Sequence, residues 1–138
     1  MTILTVSSRT KTEMIDITSD VQEAVKTSGI DEGICMVYVP HTTAAVTINE
    51  SADPAVKQDI LMVLNQVIPQ KAGYRHAEGN SPAHIKASLM GSSELVMVEK
   101  GRLVLGTWQG IFFCEFDGPR NRKVFIRFIQ GACNGRNR

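Results

Sequence analysis

Ile34-Cys35-Met36-Val37-Tyr38-Val39-Pro40-His41-Thr42-Thr43-Ala44-Ala45-Val46-Thr47-Ile48-Asn49-Glu50 is the stretch on which the reading of this chain turns. Its first six residues form a nearly continuous apolar run, the length and composition of a buried strand. Pro40 ends the run and a polar turn follows. From Thr43 onward the pattern has period two, with Ala44, Val46 and Ile48 on one side and Thr43, Thr47 and Asn49 on the other. His41 has the parity of the polar set, so that face of the strand is a candidate wall of a site.

Working outward, residues 2–7 and 12–17 read as strands, and Ser19-Asp20 supplies capping residues for a helix that stops at Gly29. Asp53-Pro54 opens a second helix, because Asp53 can accept from the free backbone N–H groups and Pro54 suits the first helical position. Val56, Ile60, Val63, Leu64 and Val67 make its apolar stripe, read as core, and Pro69 ends it. Residues 69–80 form a polar loop with Gly73 and Gly79. A third helix has Ser81 as N-cap, Pro82 in its first position and Gly91 as terminator. Residues 93–99, 102–107, 110–117 and 123–130 read as further strands, with Gly101, Gly110 and Gly118 marking turns. No Gly/Ser-rich linker divides the chain. The expectation is a single α+β domain over residues 1–138, with mostly antiparallel sheet and a frayed tail over about 133–138.

A chain of 138 residues can bury roughly two thirds of its unfolded surface. It has no uninterrupted apolar stretch near the roughly 18 residues of a membrane span, and no basic segment ahead of an apolar one at its start. The three cysteines, Cys35, Cys114 and Cys133, are odd in number and lack CxxC spacing, which fits neither a disulfide framework nor a cysteine zinc site. A reduced, cytoplasmic setting is therefore expected, with Cys35 and Cys114 as small core residues.

All three histidines fall in two polar clusters, Pro40-His41-Thr42-Thr43 and His76 to His84. Neutral imidazoles from separate segments can hold one divalent metal and leave a position open for water or substrate; the plainer alternative is three hydrogen-bonded or surface histidines. His84, near the start of its helix, sits where the partial positive charge of the helix disfavours imidazolium. Glu50 and Glu115 are the acids expected nearby, as general bases or as orienters of an imidazole; Glu115 can equally be an ordinary sheet-edge charge. Trp108, the only tryptophan, is either a packing anchor or a flat face for a heteroaromatic ring, with Gln109 reading polar ring edges.

Residues 1–117 carry nine Lys/Arg against fourteen Asp/Glu, whereas residues 118–138 carry six basic residues and no acid. Arg136 and Arg138 belong to the tail. The local group at Arg120, Arg122 and Lys123 suits one or two phosphates better than a nucleic-acid backbone. The turn Asp117-Gly118-Pro119-Arg120-Asn121-Arg122 is expected to aim two guanidinium forks outward, toward an anion or simply toward water.

His41-Thr42-Thr43-Ala44-Ala45, Ile48-Asn49-Glu50, His84-Ile85-Lys86-Ala87-Ser88, Leu105-Gly106-Thr107-Trp108-Gln109-Gly110 and Asp117-Gly118-Pro119-Arg120 together resemble the YjbQ family, also labelled the secondary thiamine-phosphate synthase family. The likeness runs over nearly the whole chain in the right order. It implies a compact α+β fold built on a β-sandwich, a homotrimer, and a polar pocket in which His41, His76 and His84 are metal ligands, with Asn49, Glu50, Asn80 and Glu115 around them. It also implies a weak activity joining hydroxymethylpyrimidine diphosphate to thiazole phosphate, giving thiamine phosphate and pyrophosphate. Set beside the residues, this gives a metal-assisted enzyme on a small phosphorylated metabolite. Arg120 and Arg122 would neutralise pyrophosphate, Trp108 would stack on the pyrimidine, and Glu50 or Glu115 would manage protons. Imidazole donors favour zinc, while magnesium would ride on substrate phosphates. The alternatives are a metal-dependent hydrolase with a tri-histidine site and a non-catalytic metal- or metabolite-binding trimer. Neither nucleic acid nor membrane is expected as a partner.

Overall fold

Two antiparallel sheets carry the chain, and the way each is covered explains the patterning. The computed structural model describes residues 1–131; Cys133, Arg136, Arg138 and the expected tail lie outside the described residues. In chain order the elements are β1 (Thr2–Ser7), β2 (Glu13–Asp16), α1 (Thr18–Ser28), β3 (Gly33–Tyr38), β4 (Ala44–Glu50), α2 (Pro54–Val67), α3 (Ser81–Met90), β5 (Ser93–Glu99), β6 (Arg102–Leu103), β7 (Gln109–Glu115) and β8 (Asn121–Gln130). One sheet has the order β1-β8-β3-β5-β6, the other β2-β7-β4. Among the described residues no helix is long and apolar enough to cross a membrane.

The inner faces meet in one core. Val6, Cys35, Val37, Val96, Val124 and Ile126 come from the larger sheet, Ala44, Val46, Ile111 and Phe113 from the smaller, and α1 closes it with Val21, Ala24 and Val25. The smaller sheet is also covered on its outer face. Met14, Ala45, Phe112, Cys114 and Phe116 pack there against Ala83 and Ala87 of α3 and against Ile60, Leu61 and Leu64 of α2. Burial on both sides is why Ile111 to Phe116 is apolar at nearly every position. It also corrects the expected site wall on β4: the face holding Thr43 and Ala45 lies under helices and both residues are buried.

Four local readings change. Asn80, not Ser81, is the N-cap of α3, and α1 begins at Thr18, whose amide and hydroxyl both donate to the Asp16 carboxylate at 2.9 and 2.6 Å. The apolar stripe of α2 is wider than the seam it packs into. No residue of that helix is fully buried, and Met62, Val63 and Val67 are exposed. Gly110 lies within β7 rather than at a turn, and it is glycine because a Cβ there would stand 2.6 Å from Cβ of Ser51. The expected capping of α2 holds, with the Asp53 carboxylate accepting from the Ala55 amide at 2.9 Å. Burial pushes the thiols of Cys35 and Cys114 up to about 11 and about 12, so both stay protonated core residues.

Candidate functional site

The His41 loop leaves β3 and enters β4 beside the N-terminal half of β8. There the Nε2 of His41 accepts a hydrogen bond from the backbone N–H of Lys123 at 2.9 Å. A neutral imidazole has one lone pair to offer, so this bond places the ring proton on Nδ1. Partial burial, and then the neighbouring Arg122 charge, hold His41 below its ordinary value of 6.5, which keeps the ring neutral at pH 7.

His41 and Thr42 form a ridge between two openings. On one side an open cleft of about 450 Å³ is lined by His41, Thr42, His84, Ser88 and Ser92. On the other, His41 and Thr42 line an opening shared with Tyr38, Arg120 and Arg122. Ser88 follows His84 by one helical turn, so both face the cleft, and its hydroxyl donates to the His84 carbonyl at 3.0 Å. The i, i+4 spacing was a sequence signal for Ser88, which pattern reading passed over; Thr42 and Ser92 carried none. His76, exposed on the loop before α3, meets His84 edge to face with ring centroids 5.2 Å apart.

Beneath the ridge lies a buried polar brace. Glu115 and Arg122 are 0% and 3% exposed and form an ion pair. Arg122 Nε donates to Glu115 at 2.9 Å, and Nη2 reaches Thr43 Oγ1 at 2.8 Å. The Ser8 hydroxyl and the Asp117 amide donate to the same carboxylate at 2.7 and 3.0 Å. Burial alone would raise the Glu115 carboxyl. The donors from Arg122, Ser8 and Asp117 outweigh it and hold the group below the usual carboxylate value. Above the brace, Asp117 accepts from Arg120 at 3.1 Å and from Asn80 Nδ2 at 3.0 Å.

This arrangement re-sorts the expected site residues. His41, His76, His84 and Arg120 gather at one end of the sandwich, with Asn80 tied to Arg120 through Asp117. Arg122 points inward rather than outward, its guanidinium engaged by Glu115 and Thr43. Glu115 is neither a sheet-edge charge nor a base within reach of a ligand, because its oxygens serve the brace. Asn49, Glu50, Trp108 and Gln109 sit at the other end of the smaller sheet. In the β4–β7 ladder Ala44 faces Glu115 while Glu50 faces Gln109, so six residues, roughly 20 Å, separate the two ends. There Asn49 accepts from the Glu50 amide at 2.7 Å, Gln109 accepts from the Gly106 amide at 2.8 Å, and Trp108 is 63% exposed. Trp108 is therefore not a core anchor of the chain.

The histidines do not fit a three-imidazole metal centre. Among the described residues no three His, Cys, Asp or Glu side chains are gathered closely enough to hold one ion. His76 and His84 meet edge to face, and the lone pair of His41 is taken by the Lys123 amide.

Residues 2–131 match the family profile described as UPF0047 protein YjbQ-like. A UPF0047 protein of Methanocaldococcus jannaschii is 51% identical over 117 residues, 85% of each chain. The UPF0047 protein YugU of Bacillus subtilis is 50% identical over 127 residues, 91% of this chain and 96% of the relative. Among solved structures, a YjbQ/UPF0047 protein from Clostridium acetobutylicum superposes with a TM-score of 0.92 at 53% identity, covering 94% of this chain and all of the other. A conserved hypothetical protein from Thermus thermophilus gives 0.87 at 42% identity, with 94% of this chain and 100% of the other covered. With fold, sequence and the ordered motifs in agreement over nearly its full length, the chain belongs to the YjbQ-like UPF0047 family.

Proposed function

We propose that this protein is an enzyme acting on a small phosphorylated metabolite at the cleft between the His41 loop and α3. The observation that carries the reading is the bond from the Lys123 amide to Nε2 of His41, which leaves Nδ1–H as a fixed, neutral hydrogen-bond donor on the ridge between two openings. Arg120, half-exposed and steadied by Asp117, supplies a cation beside that donor. A departing pyrophosphate is stabilised by both, a hydrogen-bond donor to a bridging or terminal oxygen and a positive charge to hold the anion. In a thiamine-phosphate synthase reaction the thiazole nitrogen forms a bond to the pyrimidine methylene carbon, and pyrophosphate leaves with the C–O electron pair. The Nδ1–H of His41 donates a hydrogen bond to that leaving group and Arg120 holds it, while Ser88 and Ser92 give the pyrimidine end polar contacts.

The family resemblance implies a divalent ion, and His76 and His84 are the pair that would hold it. Imidazole donors suit zinc, with magnesium entering on the substrate phosphates, and either ion would draw charge from the leaving group. The test is pyrophosphate release from hydroxymethylpyrimidine diphosphate and thiazole phosphate by metal-stripped protein, before and after zinc or magnesium is returned. Release that depends on His41 and Arg120 supports the reading. Release of inorganic phosphate from either substrate alone would favour a hydrolase, and no turnover would leave a binding protein.

The outer face of the larger sheet supports a homotrimer. Ile3 opposes Phe125, Met36 opposes Leu95, and Ile34 lies between Met97 and Ile129, all pointing away from the core. Leu95, Met97 and Ile129 are each more than half exposed in the single chain. A largely apolar sheet face of this kind, with Arg127 beside Met36 as its charged member, is the surface a closed cyclic assembly buries.

A further inference from the structure

Lys86 is the feature of α3 that the cleft does not use. It follows His84 by two residues, about 200° around the helix, and so faces away from the cleft. Its side chain is only 5% exposed, yet its ammonium has a single partner, Asn65 Oδ1 at 2.5 Å. Among the described residues neither Lys86 nor Lys11 forms an ion pair; the two ion pairs are Arg120–Asp117 and Arg122–Glu115. Both lysines line one cavity of about 160 Å³ together with Thr12, Asn65, Gln70 and Asn80. Asn80 also has the one buried side-chain atom without a hydrogen-bond partner among the described residues, its Oδ1.

We propose that this cavity is a second anion site, separate from the histidine cleft, in which Lys86 and Lys11 bind a phosphoryl group. Burying an ammonium without a counter-charge is costly, and a second lysine at the same cavity adds to the cost. Burial, and after it the Lys11 charge, accordingly lower the Lys86 ammonium from its usual value. A tetrahedral anion removes both penalties at once. It accepts from the two ammonium groups, from the Thr12 hydroxyl and from the amide of Gln70, while a protonated phosphate oxygen can donate to Asn80 Oδ1. The cavity has room for a phosphate-sized group but not for a nucleotide.

Calorimetric titration of inorganic phosphate at fixed ionic strength tests the proposal. It is run on the His41→Ala chain, so that the histidine cleft lacks its donor and failure of the catalytic reading leaves this result untouched. One phosphate per chain should bind saturably, and adding Lys86→Met or Lys11→Met should weaken it at least about tenfold. Lys11 is on the surface, so Lys11→Met decides the matter if Lys86→Met does not fold. A parallel titration with glycerol phosphate distinguishes the sources: tighter binding of the ester assigns the site to a phosphorylated metabolite, tighter binding of inorganic phosphate to the free ion. Equal affinity with and without Lys11→Met, or no saturable binding below about 10 mM of either probe, overturns it.

Discussion

Arg122 Nη2 lies 2.5 Å from Glu115 Oε2, with both side chains closed off from water beneath the His41 ridge. This pair is structural, and it sets the height and angle of everything above it: Thr43 at the start of β4, the Asp117 amide and, through the shared turn, Arg120. Removing one partner strands the other. Arg122→Met should destabilise the fold by about 3–5 kcal/mol, whereas the double variant Glu115→Leu/Arg122→Met should recover much of that loss. Urea unfolding of the single and double variants provides the measurement.

The same pair makes stability depend on acid. The Glu115 carboxyl titrates below its ordinary value of 4.5 in the folded chain. Its contribution is therefore fully present above about pH 4.5 and is lost as pH falls through the lower folded value. Unfolding free energy measured between pH 7 and pH 3 should decline in that acid window. In Glu115→Gln the decline should be smaller.

Gly110→Ala should destabilise by about 1–3 kcal/mol, because the new methyl must displace Ser51 and crowd Thr18 Oγ1, 3.1 Å away. Gly29→Ala probes a different cause. Its φ is +74° with open space around the missing Cβ, so only backbone strain, about 1 kcal/mol, is expected. Adding Ser51→Gly should relieve Gly110→Ala and do nothing for Gly29→Ala, as thermal melts of the four variants would reveal.

Sedimentation equilibrium at micromolar concentration should give three times the 15.2 kDa chain mass. Leu95→Glu or Met97→Glu, each placing a carboxylate in the exposed apolar sheet face, should shift the species toward single chains. A wild-type chain that sediments as a monomer would rule out the trimer.

Much of the fold was legible because its elements announce themselves locally: the Asp53-Pro54 opening of α2, the glycine ends of α1 and α3, and the alternation along β4. The site was less so, for reasons that individual residues make plain. His41 lies in the loop that enters β4 and Glu50 at the far end of that strand, and alternation tells which face a residue takes but not which end of the sheet its neighbours share. Trp108 and Gln109 went astray for the same reason. Arg122 did carry a signal, since it has the parity of Val124 and Ile126, both buried, and so had to point inward. The exposure of Val63 and Val67 had none, because a helical stripe records hydrophobicity and not the width of the seam it meets.

His41 is a neutral hydrogen-bond donor through Nδ1–H on the edge of the proposed phosphate-binding cleft. Nitrogen-15 NMR of the imidazoles across a pH titration, with and without pyrophosphate, tests it most directly. His41 should be in the Nδ1–H form with a pKa below 6.5, and pyrophosphate should raise that pKa and shift the His41 Nδ1 and His84 ring signals together. A His41 ring protonated on Nε2, or histidine signals unmoved by saturating pyrophosphate, would contradict it.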